Sequence, residues 1–393
     1  MDEIDTFKKL RSTNRITLLK EIHNSGPISR IDLAKKLGLS KSTVSENINQ
    51  LLDDNVVLEV GIGNSQLTGG RRPVLLQING HFCFIIIAEL GVQEPIFALA
   101  DLNGNILAKQ TIQLSENVPY SSRLCAAQKA IEGLLKNSQI SKEQLGIIAL
   151  SSPGAYSKSK GAFILNPEFE NWNVSQFSSD VKKFFQTDVY VVNDVNAAAI
   201  GELHYGSGNG FENILFISCG LGIGVGLILN GTLYTGQSGS AGEIAQIAAP
   251  GIPNPIRTHV EIAQVLNKTN LDMPDEQRKM LRKSINEMEF QDLVHQWKQR
   301  NPYIQKIIGD VAAILGKSAA SITSLLNCEL VILGGEYLVF KDQIIPMMND
   351  VMKKEAFDPV SVVPSKLGKD ASLYGLLSLS IDMLIERLAC GQL

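Results

Sequence analysis

The chain has 393 residues, 44% of them hydrophobic and 19% charged, which is enough for a large packed core in two or three domains. Its net charge of −4 excludes a general nucleic-acid coat and confines any DNA affinity to a local module. Cys83, Cys125, Cys219, Cys328 and Cys390 are odd in number, widely spaced and mostly set among apolar residues. They read as buried reduced thiols rather than disulfides or a metal cluster. The acidic start Met1-Asp2-Glu3 is no signal peptide, and apolar runs such as 82–88 are too short to span a bilayer. The expected location is cytoplasmic, with no membrane contact.

The first predicted elements form a helix-turn-helix. Ser29 followed by Asp32 is a capping-box-like start for a short helix over 29–37, Gly38 supplies the turn, and Ser40 caps a second helix. Val44, Ile48 and Leu51 repeat at i, i+4 and i+7 and predict one buried stripe, leaving Lys41, Ser42, Ser45, Glu46 and Asn49 on the opposite face. A second helix presenting small polar groups matches the geometry that enters a major groove. Residues 56–60 and 73–78 then read as two strands around the basic tip Gly69-Gly70-Arg71-Arg72-Pro73, a β-wing whose arginines suit phosphates or a narrow minor groove. The candidate DNA contacts are Ser40, Lys41, Ser42, Thr43, Ser45, Glu46, Asn49, Arg71 and Arg72. The first 80 residues hold 11 Lys and Arg against 9 Asp and Glu, and the rest 25 against 31, so the basic balance lies in the segment that needs it.

From residue 82 the grammar changes to alternating strands and helices. Strands over 82–88, 95–101 and 106–113 predict an opening meander. A helix over 121–136, a buried strand over 145–150 and a long loop through Trp172 follow. A strand over 189–192 then runs into an Ala-rich helix starting at Asp194. Residues 214–218 and 224–229 read as a hairpin-like pair, and 330–333 as a late strand in a mostly helical C-terminal half. The helix over 301–326 is open to two readings, a dimer face or a lobe core. Two βββαβα-like halves can be made out, which is a two-lobed α/β architecture.

Three motifs carry the chemistry. Asn193-Asp194 ends a strand at a helix start, where ligands of open α/β sheets bind, and Asp194 is placed to act as a general base or simply as a helix cap. The glycines of 220–226 would let backbone N–H groups approach a phosphate, although the same run also suits a ligand-free hairpin. Residues 238–246 are a small-residue loop carrying Glu243 and Gln246, suited to pairing with hydroxyls.

With Ser152-Pro153-Gly154, Asn166-Pro167, Trp172-Asn173, Asn196-Ala197-Ala198 and Leu333-Gly334-Gly335, these motifs resemble the ROK family of repressors, open reading frames and sugar kinases. The resemblance implies an N-terminal winged helix-turn-helix followed by a two-lobed, actin-like sugar-kinase fold. Its divisions would be a DNA-binding domain at 1–80, a first lobe at 81–195, and a second lobe with dimerisation region at 196–393 whose last helix packs back on the first lobe. The chain looks most like the repressor branch, xylose repressors in particular. By resemblance the sugar contacts are Asn193, Asp194, Glu243, Gln246 and Glu261.

Two departures from the family pattern bear on function. The family kinases' Asp-x-Gly-x-Thr phosphate loop reads Glu89-Leu90-Gly91-Val92-Gln93 here, and Leu221 stands where the second glycine loop has a threonine. Losing phosphate contacts at both loops predicts a kinase that is dead, with Asp194 a vestigial base. The family's zinc histidine is Gln246, and 248–260 holds no cysteine, only His259 among prolines, so no metal or other cofactor is expected. The implied protein is a repressor of carbohydrate-utilisation genes, a homodimer or dimer of dimers on double-stranded operator DNA, modulated by a sugar or sugar derivative. The alternatives are an active sugar kinase with an appended DNA-binding domain and a regulator insensitive to sugar.

Overall fold

The computed structural model describes residues 3–63, 72–91, 94–115, 118–157, 162–164, 173–248, 250–272 and 288–392. It opens with a helix on which the sequence reading is silent, α1 (Glu3–Ser25). Leu18, Leu19 and Ile22 of α1 are buried. β1 (Ile28–Ser29) leads directly into α2 (Arg30–Leu37), where the Ser29 hydroxyl accepts the Asp32 amide at 3.2 Å. Gly38 ends α2 at φ +64, a left-handed conformation that glycine adopts without a Cβ penalty. Ser40 caps α3 (Lys41–Asp53), and the predicted stripe of Val44, Ile48 and Leu51 is fully buried. β2 (Val57–Ile62) and β3 (Val74–Ile78) form the wing, antiparallel with a bulge between Glu59 and Gly61, and β1 completes the sheet in the order β1-β3-β2.

β4 (Phe84–Glu89), β5 (Ile96–Asp101) and β6 (Ile106–Thr111) are the predicted antiparallel meander. α4 (Tyr120–Asn137) and β7 (Leu145–Ser152) follow. The stretch read as a long loop contains the antiparallel pair β8 (Ala155–Ser157) and β9 (Ala162–Ile164), too short for a periodicity signal. α5 (Val174–Phe185), absent from the sequence reading, is capped by Asn173 and buries Val174, Phe177, Val181 and Phe185 on one stripe. β10 (Val189–Asn193) completes a five-stranded sheet in the order β10-β7-β4-β5-β6. The wing tip, Arg71, Val92, Gln93, Asn166, Pro167 and Trp172 lie outside the described residues.

α6 (Asp194–Tyr205) precedes a second five-stranded sheet, built from β11 (Ile214–Cys219), β12 (Ile223–Leu229), β13 (Thr232–Leu233), β14 (Leu330–Gly334) and β15 (Ser361–Pro364). Its order is β13-β12-β11-β14-β15, antiparallel from β11 to β13 and parallel from β11 to β15. The helices that follow α6 are α7 (Arg257–Val260), α8 (Ile262–Asp272), α9 (Phe290–Lys298), α10 (Pro302–Leu326), α11 (Lys341–Glu355) and α12 (Ala371–Ala389). Alone among the described helices, α10 is long and apolar enough to cross a membrane, which corrects the reading that the apolar runs are too short. Yet Ile304, Ile308, Ala312, Leu315 and Ala319 are fully buried in the hydrophobic core, so most of α10 serves as core.

The chain divides into two compact units, residues 1–150, 171–191 and 376–393, and residues 151–170 and 192–375. α12 therefore begins in the second and ends in the first. Cys83, Cys219 and Cys328 are buried as read, whereas Cys125 and Cys390 are exposed, and all five thiols are free. Cys125 on α4 and Cys390, just past the end of α12, face outward, which apolar neighbours in sequence do not reveal.

Candidate functional site

On α3, Lys41, Ser42, Glu46 and Asn49 are exposed and Thr43 and Ser45 partly so, which leaves the predicted face open to a groove. Ser40 is otherwise occupied: its hydroxyl accepts the Thr43 amide at 3.1 Å and lies 2.8 Å from the hydroxyls of both Ser42 and Thr43. It therefore shapes the helix start. Asn49 accepts a hydrogen bond from the Arg30 guanidinium at 2.8 Å, and Arg30 also lies 3.6 Å from Glu59 on the wing. Arg30 thus ties α2, α3 and β2 together, a role that nothing in its local sequence announces. Arg72 is exposed, and Arg71 lies outside the described residues.

The same module is held from behind. Arg15 of α1 pairs with Asp54 at 2.9 Å. Lys20 of α1 pairs with Asp382 at 3.1 Å and Glu386 at 3.5 Å, both on α12. Burial opposes the Lys20 charge, but the two carboxylates outweigh it and raise the ammonium above its ordinary value. His23, one turn on, is lowered by burial although Asp382 and Asp101 pull the other way. α12 is anchored in its turn, with Arg387 3.0 Å from Asp188. The two Lys20 pairs join residues more than 300 positions apart, so no sequence window contains them.

In the second unit, Asn193 rather than Asp194 caps α6, accepting the Asn196 amide at 2.9 Å. The Asp194 carboxylate is thereby released from capping; it accepts the Val195 amide at 2.8 Å and the Asn193 side-chain amide at 3.1 Å. Burial, with the charges of Glu336 and Glu243 adding to it, pushes its carboxyl up to about 7. Close packing of α6 on β12 sets this position, since side chains on Gly224 and Gly226 would press on Val195 and Ala199.

Three further segments converge on the end of β11. Gly242, at φ +92, lies against Val225 and its carbonyl accepts the Val225 amide at 3.1 Å, which carries Glu243 in, and withdrawal from water raises the Glu243 carboxyl. Ile262 donates to the Gly220 carbonyl at 2.9 Å, which delivers Glu261, buried and 3.4 Å from Arg257. Gly335 packs on the Cys219 backbone and delivers Glu336, whose Oε2 accepts the Leu221 amide at 3.2 Å. Asn193, Asp194, Glu243 and Glu261 are thus gathered on one sheet end, and Gln246 lies exposed on the short turn directly after Glu243. Sequence reasoning missed Glu336, whose one signal is an acid directly after the glycine pair that ends β14.

Of the phosphate-loop positions, Glu89 ends β4 and Leu221 is 76% exposed with no hydroxyl to offer. The donors around 248–260 do not fit a tetrahedral zinc: His259 is the sole nitrogen or sulfur side chain of the usual ligand types there, and its Nε2 sits 2.7 Å from the Pro253 carbonyl. Among the described residues no group of three His, Cys, Asp or Glu side chains is placed to hold a metal ion.

A winged helix-turn-helix joined to a sugar-kinase-like α/β fold defines the class. The chain belongs to the ROK family, whose model matches residues 86–383, and a winged helix-turn-helix DNA-binding model matches residues 11–57. It is 27% identical to the xylose repressor of Bacillus subtilis over 394 residues, covering 98% of this chain and 99% of that one. It is 24% identical to the DNA-binding transcriptional dual regulator NagC of Escherichia coli, covering 90% and 87%. Among solved structures, a ROK family transcriptional regulator described as a homolog of the E. coli MLC protein has a TM-score of 0.78 at 21% identity, covering 97% of this chain and 99% of that chain. A ROK family glucokinase from Streptomyces griseus, in complex with glucose and AMPPNP, has a TM-score of 0.63 at 20% identity and covers 75% of this chain and 98% of its own.

Proposed function

We propose that this chain is a cytoplasmic, sugar-responsive transcriptional repressor of carbohydrate-utilisation genes and not a kinase. The observation that carries the reading is the union, in one chain, of an exposed recognition face on α3 with a carboxylate and amide cluster at the end of β11, beside an exposed Leu221 that has no hydroxyl to offer a phosphate. Residues 1–80 read DNA, with Lys41, Ser42, Ser45, Glu46, Asn49, Arg71 and Arg72 at the groove and backbone, and Ser40 and Thr43 shaping the helix start. Residues 81–195 and 196–393 are the two lobes of the sensor. Asn193, Asp194, Glu243, Gln246 and Glu261 bind sugar hydroxyls, acids accepting and amides doing both. The active form is a homodimer or dimer of dimers, because one winged helix buries too little DNA for tight specific binding.

The test is fluorescence anisotropy with labelled DNA from upstream of the chain's own gene and its neighbours, titrated with xylose, glucose and N-acetylglucosamine. A sugar that changes operator affinity at least tenfold supports the reading; no response to any of them favours a sugar-insensitive regulator. Likeness in fold to glucokinase keeps one rival specific. Sustained ATP consumption in the presence of any sugar of the panel would establish an active kinase instead.

A further inference from the structure

β14 runs parallel to β11 with Gly334 opposite Ser218, so the chain leaving β14 emerges beside the chain leaving β11. Gly334 lies against the Phe216 ring, and Gly335, at φ +83, turns so tightly on Cys219 that any side chain there would overlap its backbone. The next residue is Glu336, and its carboxylate lies over Gly220, where even a methyl group would overlap it. Its Oε2 takes the Leu221 amide at 3.2 Å. Three glycines and a strand register thus seat one carboxylate on the backbone of the glycine loop. Backbone N–H groups of such loops are what hold a phosphate when one is bound.

We propose that Glu336 is a built-in anion of the 220–226 loop, standing where a ligand phosphate would sit, so that the site admits uncharged sugars and turns away phosphorylated sugars and nucleotides. A phosphate arriving there loses an N–H donor already bonded to Glu336 and meets a fixed negative charge at close range. Asp194 lies within electrostatic reach of the same carboxylate, so a phosphate on the sugar hydroxyl facing Asp194 would meet two acids. A neutral hydroxyl meets two acceptors instead. The sugar half of this inference rests on the reading of Asp194 as part of a sugar site; the phosphate half stands without it.

The experiment compares the full chain with Glu336→Ala and Glu336→Gln by isothermal titration at fixed ionic strength, using inorganic pyrophosphate as the anion probe. Thermal unfolding establishes that each variant is folded, and E336Q removes only the charge. Pyrophosphate is expected to bind E336A at least tenfold more tightly than wild type, and E336Q more tightly by a smaller factor. Equal pyrophosphate affinity in wild type and both folded variants overturns the proposal. In a second arm, the affinity for glucose 6-phosphate relative to glucose is expected to rise at least tenfold in E336A. A wild-type chain that takes the phosphosugar as well as the sugar overturns it too. Should no neutral sugar bind wild type, the sugar-site reading fails and the pyrophosphate arm alone decides the role of Glu336.

Discussion

Asp194 gives the most quantitative prediction. Its carboxyl is at about 7 in the folded chain against an ordinary 3.8, chiefly because burial disfavours the charged form and secondarily because Glu336 and Glu243 repel it. The unfolded chain loses this proton near 3.8 and the folded chain near 7. Between those values the folded state binds more protons, so stability falls as pH rises through the interval and is fully reduced above it. At about 1.4 kcal/mol per tenfold change in proton affinity, the cost at pH 8 is about 4 kcal/mol. Asp194→Asn keeps a side-chain oxygen for the Val195 and Asn193 donors but cannot ionise. The variant should therefore match wild type near pH 4 and exceed it by about 4 kcal/mol at pH 8. Urea titrations at pH 4, 6 and 8, followed by Trp297 fluorescence in a Trp172→Phe background, measure the difference. Parallel pH profiles for the two proteins, or a variant less stable at pH 8, would refute the reasoning. The same substitution should abolish the sugar response, because an ionised Asp194 is the better acceptor, and wild-type sugar affinity should rise as pH increases through about 7 and level off above about 8.

Replacing Arg71 and Arg72 with alanine should weaken operator binding by about 1 to 3 kcal/mol per base-reading arginine, and unchanged anisotropy on footprinted DNA would remove the wing from the interface. Lys20→Ala removes an exposed ion-pair cluster, so stability should change by under about 1 kcal/mol. Its effect should fall on signalling: the sugar-induced change in operator affinity is expected to shrink, and an undiminished response would show that the Lys20 contact on α12 carries none of it. Gly375→Ala is the opposite kind of change, since a methyl group there would overlap the Ala197 backbone where α12 crosses α6. A loss of about 3 kcal/mol is expected by calorimetry, and a neutral result would contradict the close packing of these helices.

What was legible in the sequence was local. Ser29, Gly38 and Ser40 speak through cap and turn chemistry within three residues of where they act, and each holds its predicted place. α1 was silent because polar residues interrupt its apolar ones, and it is fixed by tertiary contacts of Leu18, Leu19 and Ile22. α5 was legible and overlooked, since Val174, Phe177, Val181 and Phe185 keep a helical spacing behind the Asn173 cap. The Asn193 and Asp194 pair was found, but which of the two would cap the helix depends on side-chain geometry that the residue types share.

The residues missed altogether have in common that their partners come from far along the chain. Lys20 and Glu386 are 366 positions apart, and Glu336 meets Leu221 across 115. Such pairs carry no periodicity, and only the sheet register that puts Gly334 beside Ser218 creates the second of them. The glycine loop illustrates the consequence. Read as a string, 220–226 keeps the glycines that let a phosphate approach and differs from a kinase by one side chain, Leu221. Read in three dimensions, its first free amide is already bonded to an acid supplied by another strand. Loss of a threonine removes one favourable contact, whereas an added carboxylate places a repulsive charge where the reaction would need a donor, and the second change is the more decisive for phosphoryl transfer. In its proposed role, Glu336 adds to the case against a kinase that Leu221 and the 89–93 loop already make, and it is a residue no motif contains.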